Sequence, residues 1–232
     1  MISIIFELSC RLATFFAHAQ AGTWPLTMIW VLIFVLSYLI GSIPSGYLVA
    51  RFKGLDIRQH GSSNIGAANV ARVMGKKWGY LVGFCDFCKG FLAVRLGLLV
   101  AAHFLLSPVL GSIIAAIACI LGHNYTIWLG FKGGKGIATS GGAVLALLPP
   151  LVFVSAAVVW LAVFLIGRYT SLASIVAAAV LPLTVILFTP KTGTDFWLMM
   201  SFSVAMAALA IWRHRSNIVR LLNGTENRFG KK

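Results

Sequence analysis

Long apolar runs broken by short polar, glycine-rich stretches set the rhythm of this chain. The first clear run, about Leu26 to Ala50, is long enough to cross a hydrocarbon core of roughly 30 Å. Pro44, with Ser42 and Ser45 beside it, predicts a kink or unwound turn near the inner end. Residues 51–78 read as a loop carrying Arg51, Lys53, Arg58, Arg72, Lys76 and Lys77 against Asp56 alone. A second span starts at Tyr80 or Gly90 and ends at Leu106, before Ser107-Pro108. Asp86 and Lys89, at i and i+3, predict an ion pair near its start, and Arg95 predicts a snorkelling side chain. The third span, Val109 to Leu129, contains Gly122-His123-Asn124-Tyr125, polar enough to face protein or a cavity.

Past Phe131-Lys-Gly-Gly-Lys-Gly136, Pro149-Pro150 separates two shorter apolar runs, the second ending at Arg168. Two crossings fit the basic residues at both ends better than one, because both ends then face the same side. A sixth span covers Leu172 to Phe188, and the seventh, Phe196 to Trp212, ends in His214-Arg-Ser-Asn217. No internal repeat is evident.

Composition makes the class firm. With 59% hydrophobic and 10% charged residues, the chain reads as an all-α polytopic membrane protein with about seven transmembrane helices. Residues 25–232 form one membrane domain. Residues 1–24, interrupted by Glu7, Arg11 and His18, read as an interfacial or signal-like extension. The net charge of +14 points to cytoplasmic loops and anionic lipid rather than nucleic acid. Seven crossings place the N-terminus outside and the C-terminus in the cytoplasm, leaving only Arg11 and Lys191 outside.

The polar stretches carry the chemistry. In Gly61-Ser62-Ser63-Asn64-Ile65-Gly66, the glycines allow successive N–H groups to converge on one anion. A helix starting near Ala67 would aim its positive end at the same spot. Asn69 and Arg72 fall on one face of that helix, and Arg72 offers a planar fork of donors. Lys132 and Lys135 flank Gly133-Gly134 as a second nest. It is not a nucleotide P-loop, because Leu129 and Gly136 occupy positions where that pattern needs Gly and Ser or Thr. His214 and Asn217 share a face if the last helix continues. Five carboxylates in the whole chain leave little for a metal site, so no metal and no cofactor are expected. Cys85 and Cys88 have redox or zinc spacing without a second ligand pair, and are read as packing residues.

Together the segments resemble the bacterial acyl-phosphate:glycerol-3-phosphate acyltransferases. The likeness runs in order through Gly41-Ser-Ile-Pro-Ser-Gly-Tyr47, Asp86-x-x-Lys89-Gly90, Gly122-His123, Phe131-Lys-Gly-Gly-Lys-Gly-Ile-Ala-Thr139, Arg168-Tyr-x-Ser171-Leu-Ala-Ser174 and His214-Arg-Ser-Asn217-Ile-x-Arg220. It implies a seven-helix inner-membrane enzyme with a cytoplasmic-facing site. The implied reaction moves an acyl group from acyl phosphate to the 1-hydroxyl of glycerol 3-phosphate, giving 1-acyl-glycerol 3-phosphate and phosphate for phospholipid synthesis. Mapped onto this chain, it implies an acyl-phosphate site at Gly61, Ser62, Asn64, Gly66, Asn69, Gly133, Gly134, Lys135, Gly136 and Thr139. Glycerol 3-phosphate falls to Arg72, Lys132, Ser171, His214 and Asn217, and catalysis to Ser62, His214 and Asn217. Which phosphate occupies which nest stays open, as does the oligomeric state. Ser63 stands where members usually have Gly, and Ala68 where they have Thr.

The proton of the attacking hydroxyl has three candidate acceptors: His214, a substrate phosphate oxygen, or water held by Ser62 or Asn217. Neighbouring phosphates should favour a protonated His214 held by Asn217, orienting glycerol 3-phosphate while a phosphate takes the proton. A transporter of phosphorylated metabolites is the competing class. It is disfavoured because the polar motifs gather at one face rather than at the midplane.

Overall fold

A computed structural model describes residues 26–230, so the extension 1–24 lies outside the described residues. Ten α-helices and two short 3₁₀ turns make up the described chain. They are α1 (Leu26–Ser42), α2 (Ser45–Phe52), α3 (Ala67–Met74), α4 (Lys76–His103), α5 (Pro108–Asn124), α6 (Ile137–Leu147), α7 (Pro150–Gly167), α8 (Thr170–Phe188), α9 (Gly193–Arg213) and α10 (Arg215–Leu222). The 3₁₀ turns are Ile57–Gln59 and Ile127–Leu129.

Among the described residues, five segments are long and apolar enough to cross a membrane: Leu26–Phe52, Pro108–Leu129, Pro150–Gly167, Thr170–Phe188 and Gly193–Arg213. The break expected at Pro44 separates α1 from α2. Four helices fall outside that set: α3 and α10 have only eight residues each, and α4 and α6 miss it for opposite reasons. α4 has 28 residues but carries Asp86, Lys89 and Arg95, whereas α6 is apolar but has only 11. At 1.5 Å per residue α6 is about 16 Å long, roughly half the hydrocarbon thickness.

The 51–78 region is more structured than the expected loop. It holds α3 and the first turn of α4, which starts at Lys76 rather than at Tyr80. α3 begins at Ala67, where a helix start was expected; only the first turn of α4 was concealed by its charge, since a cationic helix end at a membrane face has no hydropathy signal. The third span runs to Leu129 as expected, but its α-helix, α5, ends at Asn124, because Tyr125–Gly130 turns to carry the glycine-rich loop back onto its end.

Two packing regimes meet in the fold. α1, α4, α5 and α6 press backbone against backbone: Gly41 lies on the Cys119 carbonyl, Gly90 on that of Thr139, Gly122 on that of Tyr38 and Gly142 on that of Phe87. Small residues replace side-chain interdigitation where helices must approach this closely. α8 instead packs between α7 and α9, and α7 presents large apolar side chains outward, with only 6% of its residues buried. A separate apolar cluster of Ala50, Ile57, Ile65, Val70 and Val82 seats α2, α3 and the turn between them on α4.

Candidate active site

Three polar segments meet at one end of the helices. The first, residues 57–72, is organised by the amide of Asn69, which is 2% exposed and so must satisfy its hydrogen-bonding groups within the protein. Its nitrogen donates to the carbonyls of His60 (3.0 Å) and Asn64 (2.8 Å), and its oxygen accepts from the Ser62 N–H (2.8 Å). Asn64 closes the turn by accepting from the Gly66 N–H (2.8 Å). Gly61 has φ +60°, and a β-carbon there would overlap the Asn69 amide oxygen, so both backbone and space require glycine. Ser63, where members of the resembled family usually have Gly, has φ +56°, the left-handed region that glycine enters freely.

The side chains of Asn64 and Asn69 therefore build the segment rather than face its opening. Ser62 and Arg72 are exposed, and α3 begins at Ala67 behind Gly66, pointing its first N–H groups at the same surface.

The second segment docks differently. Gly133 and Gly134 donate their N–H groups to the last carbonyls of α5, those of Asn124 (3.1 Å) and His123 (3.0 Å). The expected open nest at these two glycines is thus engaged within the protein. The glycines are there for close approach, since a β-carbon on Gly134 would overlap the His123 ring. What remains available is the N-terminus of α6, behind Gly136 at φ +80°, where Ile137, Ala138 and Thr139 present N–H groups without intrahelical partners. Thr139 contributes there only through its backbone, because its side chain is fully buried. Lys132 is exposed and Lys135 points inward.

The third segment is the junction of α9 and α10. His214 interrupts the helix, and its Nδ1 lies 2.8 Å from the Ala210 carbonyl. A carbonyl only accepts, so Nδ1 carries the hydrogen and the Nε2 lone pair is left facing away. Asn217, one turn on, does not hold the imidazole as expected. Its oxygen accepts from Lys135 Nζ, and its nitrogen donates to Glu226 (2.6 Å).

Two residues of the site were not named among the expected site residues. Glu226 comes in on the tail after α10 and accepts from Ser171 Oγ (2.7 Å), Asn217 Nδ2 (2.6 Å) and Arg220 Nε (2.7 Å). This one carboxylate reaches the site because the tail folds back, where the Phe229 N–H donates to the Arg168 carbonyl (2.8 Å). Arg213 donates to the Gly134 carbonyl (2.6 Å) and stacks over Tyr125, fixing the second segment to α9. Both depend on tertiary return of the chain, which spacing does not encode.

Electrostatics bind the cluster together. Burial pushes Lys135 down to about 8, with Arg220, Arg213 and Arg72 adding repulsion and Glu226 opposing it. Burial also pushes His214 down to about 4; Lys135 and Arg213 reinforce the shift, while the Ala210 bond and Glu226 oppose it. The imidazole is accordingly neutral in the free site, unlike the protonated form expected beside two phosphates. Burial would raise Glu226, but donation from Asn217, Ser171 and Arg220 outweighs it and holds the carboxyl below its usual range.

Comparison with known proteins places this arrangement in context. A family profile described as glycerol-3-phosphate acyltransferase matches residues 31–224. The glycerol-3-phosphate acyltransferase of Desulforudis audaxviator is 46% identical over 200 residues, covering 86% of this chain and 95% of its own. Glycerol-3-phosphate acyltransferase 2 of Moorella thermoacetica is 47% identical over 204 residues, covering 88% and 99%. The crystal structure of PlsY (YgiH), an integral membrane glycerol 3-phosphate acyltransferase, matches in its glycerol 3-phosphate form with TM-score 0.76 and 41% identity, over 87% of this chain and 96% of that one. Its lysophosphatidic acid form matches with TM-score 0.75 and 39% identity, over 87% and 95%.

Proposed function

The chain belongs to the glycerol-3-phosphate acyltransferase family and is an acyltransferase acting on glycerol 3-phosphate, and we propose that its acyl donor is an acyl phosphate. The observation that carries this is the convergence of Arg72, Lys132, Lys135 and the N-termini of α3 and α6 on one end of the helices, within a site where both substrates bring phosphate. Acyl phosphate is a mixed anhydride with a good leaving group, so the protein need mainly align two anions and stabilise developing charge. The 1-hydroxyl oxygen forms the new ester bond to the acyl carbon, the acyl–phosphate C–O bond breaks, and inorganic phosphate departs.

Arg72, with Ser62 and the turn at Gly61–Gly66, and Lys135 at the mouth of α6 hold the phosphates. Ser171 and Asn217, fixed by Glu226, line the glycerol 3-phosphate side together with His214. The neutral His214 offers Nε2 as acceptor to the attacking hydroxyl. With a pKa of about 4 it is a weak base, so the proton ends on phosphate oxygen and the imidazole orients the nucleophile. We further read the protein as a seven-span enzyme of the bacterial inner membrane, N-terminus outside, with α4 and the short α6 as its two non-standard crossings.

The test offers the purified protein acyl phosphate, acyl-CoA and acyl carrier protein separately, each with glycerol 3-phosphate. Product is expected from acyl phosphate alone; robust turnover with a thioester would overturn the donor assignment. His214→Gln separates the roles of the histidine. Orientation predicts a partial loss largely recovered at high glycerol 3-phosphate, whereas a fall in kcat of about 10²–10⁴ that substrate cannot rescue would make it the base.

A further inference from the structure

The described reaction leaves three buried ionisable groups unused. Asp86 and Lys89 of α4 and His123 of α5 are 2%, 6% and 5% exposed. Lys89 Nζ lies 2.9 Å from Asp86 Oδ1, and His123 Nδ1 lies 3.6 Å from the same oxygen. Such a cluster is a poor device for stability. Withdrawing charges from water offsets much of their mutual attraction, and well-packed apolar replacements are often as stable or more so. Its contacts suggest another role.

At one end of the cluster, Lys89 Nζ donates to the Ile43 carbonyl (2.9 Å), which lies at the break between α1 and α2. Immediately beyond that break, Gly46 of α2 rests on the Ile65 carbonyl, inside the first polar segment. At the other end, the His123 ring lies under Gly134, and the His123 carbonyl accepts the Gly134 N–H. A line of contacts, with the ionic contacts of Asp86 to Lys89 and His123 at its centre and close packing against backbone at Gly46 and Gly134, thus joins the underside of the 61–72 segment to the underside of the 131–136 segment.

We infer that Asp86, Lys89 and His123 are positioning residues that set the distance between the two phosphate-binding segments, and so the alignment of the two substrates. The inference rests on reading those segments as phosphate-binding. Each segment keeps its own local ties, namely Asn69 in the first and the α5 carbonyls in the second. Losing the cluster should therefore leave each substrate able to bind but misalign the pair.

The double variant Asp86→Leu/Lys89→Met removes both charges at once and orphans neither. Expected is a thermal midpoint within a few degrees of the parent, KM values for both substrates within about threefold, and kcat reduced at least about tenfold. His123→Gln, which keeps a donor toward Asp86 but removes the ring beneath Gly134, should show the same split. Parental kcat in the double variant, or a loss of activity that follows a loss of thermal stability in both variants, overturns the inference. Arg72→Gln and Lys135→Gln run alongside. If neither raises a substrate KM, the reading of the segments fails; if they do while kcat of the double variant is intact, only the positioning role fails.

Discussion

The two glycine-rich segments look alike in the sequence, each a run of glycines flanked by cations, yet they are assembled by different means. In 57–72 a single side chain, Asn69, gathers the turn from within, bonding the backbone of Ser62, Asn64 and His60. In 131–136 the backbone itself docks on the end of α5, with Arg213 and the Lys135–Asn217 contact as additional ties. One depends on a hub and the other on distributed contacts. Similar composition conceals this, because glycine serves a positive φ at Gly61 and close approach to a ring at Gly134. The hub should fail abruptly when struck and the distributed segment should degrade by steps.

The largest effect is therefore expected from Asn69→Ala. It removes the hub and leaves several backbone groups to find water, so kcat/KM should fall by about 10²-fold or more while the helical signal persists. A variant within threefold of the parent would mean that the turn holds without its amide. Arg213→Gln tests the distributed segment and should lower kcat/KM by no more than about tenfold, since the two α5 bonds remain.

The same variant carries a pH signature. On the proposed role Lys135 must be charged to hold phosphate, and its depressed pKa means that this charge is lost as pH rises through about 8. The alkaline limb of kcat/KM, which reports the free enzyme, should fall near that value. Arg213 repels the Lys135 charge, so Arg213→Gln should move the limb to higher pH, while Asn69→Ala should leave it in place. A limb that stays put in Arg213→Gln would detach it from Lys135. The smallest effect is expected at Ser63, whose φ of +56° strains the turn, while its hydrogen bond, from its N–H to the His60 carbonyl (3.0 Å), needs no side chain. Ser63→Gly should stabilise the protein by about 0.5–1 kcal/mol, read as a small rise in thermal midpoint.

Much of the frame was legible because its signals are local. Hydrophobic length gave the long helices, Pro44 the break, and the i, i+3 spacing of Asp86 and Lys89 their ion pair at 2.9 Å. The site was legible as three motifs but not as a wiring diagram. That Asn217 turns to Lys135 and Glu226 instead of His214 follows from how α9, the 131–136 loop and the tail come together. Glu226 in particular is one acidic residue among polar neighbours until the tail crosses Ser171. The direction in which the protein itself moves His214 was not legible either: burial, with Lys135 and Arg213, pushes it down, whereas the expected protonated form was argued from the charge of neighbouring phosphates.

The backbone contacts at Gly41, Gly90, Gly122 and Gly142 have a consequence for how this sequence can drift. At each, a β-carbon would overlap a neighbouring main-chain atom rather than a side chain that could turn aside, so no single substitution is accommodated without moving a helix. α7 faces the opposite constraint: almost any apolar side chain serves on a surface turned away from the protein. Homologues should therefore diverge fastest along α7 and hold these four glycines even where the neighbouring side chains have changed, and a library built on this scaffold should spend its diversity on the same surface.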